Sequence, residues 1–179
     1  MMKKLNIFIH MLIAVVFTLG GSRGFANDHV GRTGDYLQYS LPVIAYGLSY
    51  GKKDIQGEFE FMKSFATTVA VTHGLKYAVP KARPNGNDTK SFVSGHTSAS
   101  FASAAFIQKR YGWRYGVPAY LAASYVGWSR VHTKQHDTSD VLRGALLGIF
   151  ASYQFSNRKI RIEPNTDGET TGIEIKIEW

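Results

Sequence analysis

The chain contains no cysteine, which excludes a disulfide scaffold, a thiolate nucleophile, a cysteine-ligated zinc and an iron–sulfur cluster. The compartment stays open on that count, because an exported protein can lack disulfides. Beyond residue 26 no segment reaches about eighteen uninterrupted apolar residues. Leu41–Tyr50, Gly116–Trp128 and Gly144–Phe155 come partway, and their lengths suit buried core helices better than free-standing spans. A membrane bundle of short, tilted helices remains open, since packed helices shield polar residues from lipid. Charged residues make up 19% and apolar residues 44%, which rules out a disordered or collagen-like chain. Acidic residues are scarce: 13 stand against 21 Lys and Arg, a formal net charge of +8. That balance favours anionic partners such as phosphates, nucleic acid or acidic headgroups, without choosing among them. At 179 residues, one domain with a sizeable core is the natural expectation.

Residues 1–26 read as a secretory signal. Lys3 and Lys4 form a positive start, Leu5 to Gly21 is apolar apart from Asn6, His10 and Thr18, and Gly24-Phe25-Ala26 places small residues where a signal peptidase reads. The other reading is an N-terminal membrane anchor. Losing Lys3, Lys4 and Arg23 lowers the net charge from +8 to +5. The basic balance is thus partly a targeting feature.

The remainder reads as mainly α: a compact helical bundle over residues 27–158, then a short C-terminal β-hairpin over 159–179. Helices are expected at Asp35–Tyr50, Glu58–Ala78, Thr97–Arg110, Pro118–Ser129 and Thr138–Phe155. Thr97 or Ser98 would cap the third, and Pro118 would sit in the first turn of the fourth. Gly112 and Gly116 would separate those two helices, and Pro80–Phe92 reads as a polar loop. At the C-terminus the period changes to two. Ile173, Ile175, Ile177 and Trp179 would share one strand face, and Asn165–Gly168 carries turn chemistry.

Four clusters of phosphate-competent residues punctuate the helices. Lys76 and Arg83 flank the start of the loop, a point charge and a planar fork matched to phosphate oxygens. Ser94-Gly95-His96 opens a helix, where backbone N–H groups and the helix dipole favour an anion. Gly95 lets the backbone come close. Arg130 follows Ser129, and His136 and Asp140 stand four apart, on one face if that segment is helical. A carboxylate so placed orients an imidazole. An oriented histidine is a candidate nucleophile toward phosphorus, with His96 as general acid.

Together these segments resemble the type 2 phosphatidic acid phosphatase (PAP2) family, a superfamily shared with bacterial non-specific acid phosphatases and vanadium haloperoxidases. Its signature runs K-x6-R-P, P-S-G-H, then S-R-x5-H-x3-D. Lys76, Arg83 and Pro84 match the first motif, Ser94, Gly95 and His96 the second, and Ser129, Arg130, His136 and Asp140 the third. Val93 replaces the proline of the second motif, and the loop from Pro84 to Val93 is short. The resemblance implies a PAP2-type bundle and a metal-independent phosphatase. In it His136 attacks phosphorus and forms a phosphohistidine, Asp140 orients it, and His96 protonates the leaving group. Lys76, Arg83, Arg130, Ser94 and the Gly95 N–H would hold the phosphate oxygens. No cofactor is implied, and vanadate is expected as a phosphate-mimicking inhibitor.

A phosphorylated lipid (phosphatidic acid, polyprenyl pyrophosphate or lipid A type) is the leading substrate, with a small phosphomonoester as the other. The expected setting is outside the cytoplasm, periplasmic or on a membrane surface, with no nucleic-acid partner. Three alternatives stand beside it: a soluble periplasmic non-specific acid phosphatase, a vanadium-dependent haloperoxidase, and a non-catalytic envelope protein that binds anionic headgroups. His73 and His132 match no motif position and read as structural or rim residues. Trp113, Tyr115, Tyr120, Tyr125 and Trp128 read as core or as an interfacial aromatic belt.

Overall fold

The computed structural model describes residues 29–157 and, as backbone, 160–166 and 171–177. The expected signal segment, Asp167, Gly168 and Trp179 lie outside the described residues. The helices are α1 (His29–Gly51), α2 (Ile55–Ala78), α3 (Gly95–Tyr111), α4 (Trp113–His132) and α5 (Thr138–Phe155). After α5 the backbones of β1 (Ile160–Thr166) and β2 (Thr171–Ile177) pair antiparallel, from Ile160 opposite Ile177 to Thr166 opposite Thr171.

The helix termini follow from caps rather than from apolar runs. Asp54 caps α2, accepting from the Gly57 N–H at 3.0 Å, so that helix starts three residues earlier than the sequence suggests. Ser94, not Thr97 or Ser98, caps α3: its hydroxyl accepts from the Thr97 N–H, and the helix begins at Gly95. Gly112 alone separates α3 from α4, since its φ of 83° is a left-handed conformation open to glycine. Gly116 lies inside α4 and lets it close on Gln108, where a Cβ would sit 2.5 Å from that residue's own Cβ. Pro118 is therefore within α4 rather than in its first turn. The first helix begins by His29, six residues before the expected Asp35, over a stretch with no apolar run to announce it.

α3 is the central helix and packs against the other four. It can do so because it is built of small residues: Ala99, Ala102, Ala104, Ala105, Ser98, Ser100 and Ser103 are all buried. α5 closes on it backbone to backbone. A Cβ on Gly144 would lie 2.6 Å from the Ser94 carbonyl oxygen, and one on Gly148 would collide with that of Ser98. Ser152 donates to the Ala102 carbonyl at 2.6 Å and fixes the register of the two helices. Larger side chains fill the far end of the bundle, where Phe61, Phe65 and Phe106 stack with centroids 5.4 and 5.0 Å apart. Burying each such ring stabilises the fold by about 1.5–3 kcal/mol.

That far end also holds a closed ion network. Arg110 donates through Nε and Nη2 to both oxygens of Asp54 (2.8 and 2.7 Å) and through Nη1 to Glu60 and the Asn157 carbonyl (3.1 Å each). Tyr111 adds a hydrogen bond to Asp54 at 2.9 Å. Burial opposes both charges, yet the pairing outweighs it: the pKa of Asp54 is lowered and that of Arg110 raised.

The outer faces of α4 and α5 are not core. Trp113, Val117, Leu121 and Trp128 on α4, and Leu142, Leu146 and Phe150 on α5, are exposed. The runs expected to make buried helices therefore bury one face only. Among the described residues, no helix is long and apolar enough to cross a membrane.

Candidate active site

The chain's phosphate-competent residues meet at the end of the bundle where α3 begins. α1 and α5 start there, and α2 and α4 finish there. Of the five residues between Arg130 and His136, Val131 and His132 end α4 and Thr133–Gln135 form a turn that folds back on it. Lys134 takes a φ of 55°, and the N–H groups of Gln135 and His136 both donate to the Arg130 carbonyl, at 2.9 and 3.2 Å. The spacing of Ser-Arg-x5-His thus fixes the guanidinium and the imidazole to one backbone group.

His136 lies ahead of α5, whose cap is Asp137, so His136 and Asp140 do not share a helix face as the i, i+4 spacing suggested. The imidazole Nδ1 donates to the Ser91 carbonyl at 2.9 Å, while the nearest Asp140 oxygen is 3.9 Å away. Nε2 is left to carry the lone pair. Burial pushes the His136 pKa down to about 2, reinforced by Arg83, Lys76 and His96 around it and opposed by the Ser91 bond. The ring is neutral at any ordinary pH, the state a nitrogen nucleophile needs.

Asp140 is fully buried and held from two sides: Ser91 Oγ donates to it at 2.6 Å and Lys81 Nζ at 2.7 Å. Lys81 also reaches Asp137 at 2.8 Å. Burial works against the Lys81 charge, but the hydrogen bonds it donates to Asp137 and Asp140 carry its pKa upward, and Lys81 in turn holds Asp137 down to about 2. Asp140 therefore reaches His136 through Ser91, which contacts both.

Arg83 is buried in the loop. Its Nε donates to Asp88 at 2.9 Å and its Nη1 to the Gln135 carbonyl and side-chain oxygens at 3.1 and 3.0 Å, tying the loop to the turn that carries His136. Lys76, in the last turn of α2, donates to the Lys90 carbonyl at 2.9 Å. Ser94 is buried at the mouth of α3, where its oxygen also accepts from the Thr97 hydroxyl at 2.9 Å and its N–H donates to the Asp140 carbonyl at 3.1 Å. A Cβ on Gly95 would make only ordinary contacts with Thr72 and Lys76, at 3.6 and 3.7 Å, so the protein itself leaves room for one.

Arg130 is buried and faces α1. Its Nε donates to Ser129 Oγ (3.1 Å), its Nη1 to Asp35 (2.7 Å) and its Nη2 to the Gly31 carbonyl (2.8 Å). The same Asp35 oxygen lies 3.3 Å from His96 Nε2. Burial lowers the His96 pKa. Asp35 opposes this, while Arg130 and Arg83 add to the lowering.

All eight residues expected at the site are thus brought to one end of the bundle. Sequence reasoning missed Lys81, Ser91 and Asp35. Lys81 was detectable as a second cation inside the Lys76…Arg83 segment, whereas Asp35 had no local signal. Of the other histidines, His132 stacks on Trp128 (centroids 5.1 Å apart) and His73 is exposed, with burial and then Lys76 and Lys90 lowering its pKa. Among the described residues, no group of three or more His, Asp or Glu could hold a metal ion.

The PAP2 superfamily profile matches residues 58–160, more than half of the chain, and the chain belongs to that superfamily. Its similar proteins include the lipid A 4'-phosphatase of Helicobacter pylori, 30% identical over 136 residues that span 70% of this chain and 68% of that protein. They also include the lipid A 1-phosphatase of Porphyromonas gingivalis, 43% identical over 127 residues, 64% of this chain but 28% of that longer protein. The crystal structure of Aquifex aeolicus LpxE shares the fold, with a TM-score of 0.62 over 82% of this chain and 92% of that one, at 18% identity.

Proposed function

We propose that this protein is a lipid phosphatase that removes phosphate from a lipid A type headgroup through a phosphohistidine on His136. As a PAP2 member with two lipid A phosphatases among its relatives, it is a phosphoric ester hydrolase. The observation that carries the mechanism is the buried, neutral His136, its Nδ1 held by Ser91 and its surroundings cationic.

Nε2 attacks phosphorus as the P–O bond to the lipid breaks, and His96 gives its proton to the departing oxygen. Water then attacks the phosphohistidine, passing a proton to His96 and releasing phosphate. Lys76, Arg83 and Arg130, with Ser94 and the Gly95 N–H, hold the equatorial oxygens, where transition-state charge is spread. These fixed cations supply the neutralisation, so turnover needs no added divalent metal. Vanadate, a phosphate look-alike, inhibits. Asp140, clamped by Lys81 and Ser91, positions the loop that orients His136.

The lipid reading is supported by the relatives' substrates and by the exposed apolar faces of α4 and α5, with Trp113 and Trp128 toward the two ends of α4. Those faces seat the protein on a membrane surface, with the active site outside the cytoplasm. Residues 1–26 serve as the export signal.

The test is phosphate release in detergent with EDTA present, using a lipid A preparation, phosphatidic acid, a polyprenyl pyrophosphate and a small chromogenic ester beside His136→Ala. The expected result is EDTA-resistant release, greatest on lipid A and lost in the variant. Release on the chromogenic ester alone would overturn the lipid assignment, and release by His136→Ala the mechanism.

A further inference from the structure

We infer that Asp35, on α1 and upstream of the stretch that matches the superfamily profile, is a positioning residue that holds Arg130 and His96 in their working orientation through one carboxylate oxygen. The inference rests on the roles given to those two residues above. Asp35 is buried, and its Oδ1 lies 2.7 Å from Arg130 Nη1 and 3.3 Å from His96 Nε2. α1 is seated for this contact. Gly31 offers its carbonyl to Arg130 Nη2, and Gly34 brings the α1 backbone so close that a Cβ there would collide with Ser129 Oγ and meet Arg130 Nη2 at 2.6 Å.

The arrangement gives each partner one committed side and one open side. A guanidinium has five N–H donors. Ser129, Asp35 and Gly31 engage three of those on Arg130, leaving two for phosphate oxygens among the described residues. His96 directs Nε2 at Asp35, so Nδ1 is the nitrogen that delivers the proton to the leaving oxygen. The titratable and charged groups near His96 come from several elements: Asp35 on α1, Arg83 in the loop, Arg130 on α4, the neutral His136 ahead of α5, and Lys76 on α2, which lies beside the adjoining Gly95. Asp35 is the carboxylate that opposes the cations and the burial, both of which disfavour a protonated His96. Without it the acid would be deprotonated at lower pH.

Two measurements test this, and neither substitutes for the other. The first is the pH profile of kcat/KM for Asp35→Asn against the parent, on whichever phosphate ester the parent hydrolyses. Its alkaline limb should move down by about one pH unit, giving about a tenfold loss at high pH that is recovered on acidification. A merely structural role would lower activity evenly without moving the limb, and a coincident limb would overturn the inference. The second is nitrogen NMR of the His96 ring in the parent protein and in His136→Ala, which requires no turnover. Neutral His96 should carry its proton on Nε2, and its titration should move to lower pH in Asp35→Asn. A proton on Nδ1 in the folded parent would overturn the inference even if Asp35→Asn fails to fold. The ring measurement stands whether or not the protein proves to be a phosphatase, so the two readings fail separately.

Discussion

The two ends of this bundle bury the same kinds of residue and use them in opposite ways. At the far end Arg110 spends its donors on Asp54, Glu60 and the Asn157 carbonyl, and each charge stabilises the other: Asp54 is held ionised below its usual range and Arg110 above. At the other end two histidines sit among the cations, and both are driven toward the neutral form. A saturated network has no use for a ligand. A site whose surroundings repel protons from its bases is one that an incoming dianion would relieve. The difference is one of balance rather than of composition, and it separates a structural clamp from the candidate active site.

This contrast can be broken most severely at the active end. His136→Ala should lower turnover by about 10⁴-fold or more while the protein keeps its far-ultraviolet dichroism and melting temperature, because the side chain of the proposed nucleophile hydrogen-bonds only Ser91 and the backbone bond to Arg130 is kept. A residual rate within about a hundredfold of the parent would mean that the nucleophile lies elsewhere.

At the far end the effect should fall on stability instead. Asp54→Ala leaves the Arg110 charge without its bidentate partner and removes the α2 cap, so a loss of about 3–5 kcal/mol is expected in urea unfolding. Activity per folded molecule should stay at the parent level, and a change in kcat would erase the distinction between the two ends.

Gly148→Ala sharpens the contrast from a third position, since it touches neither cluster. The added methyl would collide with the Ser98 carbonyl and push α5 off α3, at a cost of about 1–3 kcal/mol in the same unfolding experiment. The smallest effect is the pH dependence of stability. Folded His136 binds fewer protons than the unfolded chain below its ordinary pKa of 6.5, and this persists down to about 2. Stability must therefore fall as pH drops from about 6.5 to 4.5, by at most about 1.4 kcal/mol per unit for one such group. Urea midpoints across that window should show the slope, and His136→Asn should reduce it, leaving the part that His96 and His73 contribute. An unchanged slope would place the proton-linked group elsewhere.

What could be read from the amino-acid sequence divides along the same physical line. Residues that act through local spacing were legible: Ser94 at a helix start, Arg130 and His136 as members of one motif, and α5 over Thr138–Phe155 with the bounds expected of it; the helix face expected for His136 and Asp140 was not, because α5 starts only at Thr138. Residues that act through tertiary contact were not. Asp35 meets Arg130 from ninety-five positions away, and Lys81 meets Asp140 from fifty-nine. Run length also misjudged the apolar stretches, because a helix on the outside of a bundle shows the same hydrophobic run whether its second face meets protein or something else. Leu121, Leu146 and Phe150 are the residues that expose this.

The central claim is that His136 Nε2 receives the phosphoryl group, and the most direct measurement is a rapid quench of turnover with a lipid substrate labelled in the phosphate. The account predicts label on the protein that is lost in acid and stable in alkali, as expected for a phosphohistidine, mapping to the peptide that carries His136. The label should be absent from His136→Ala and should persist longer in His96→Ala. Label on another residue, or full turnover with no labelled protein at any quench time, would contradict it.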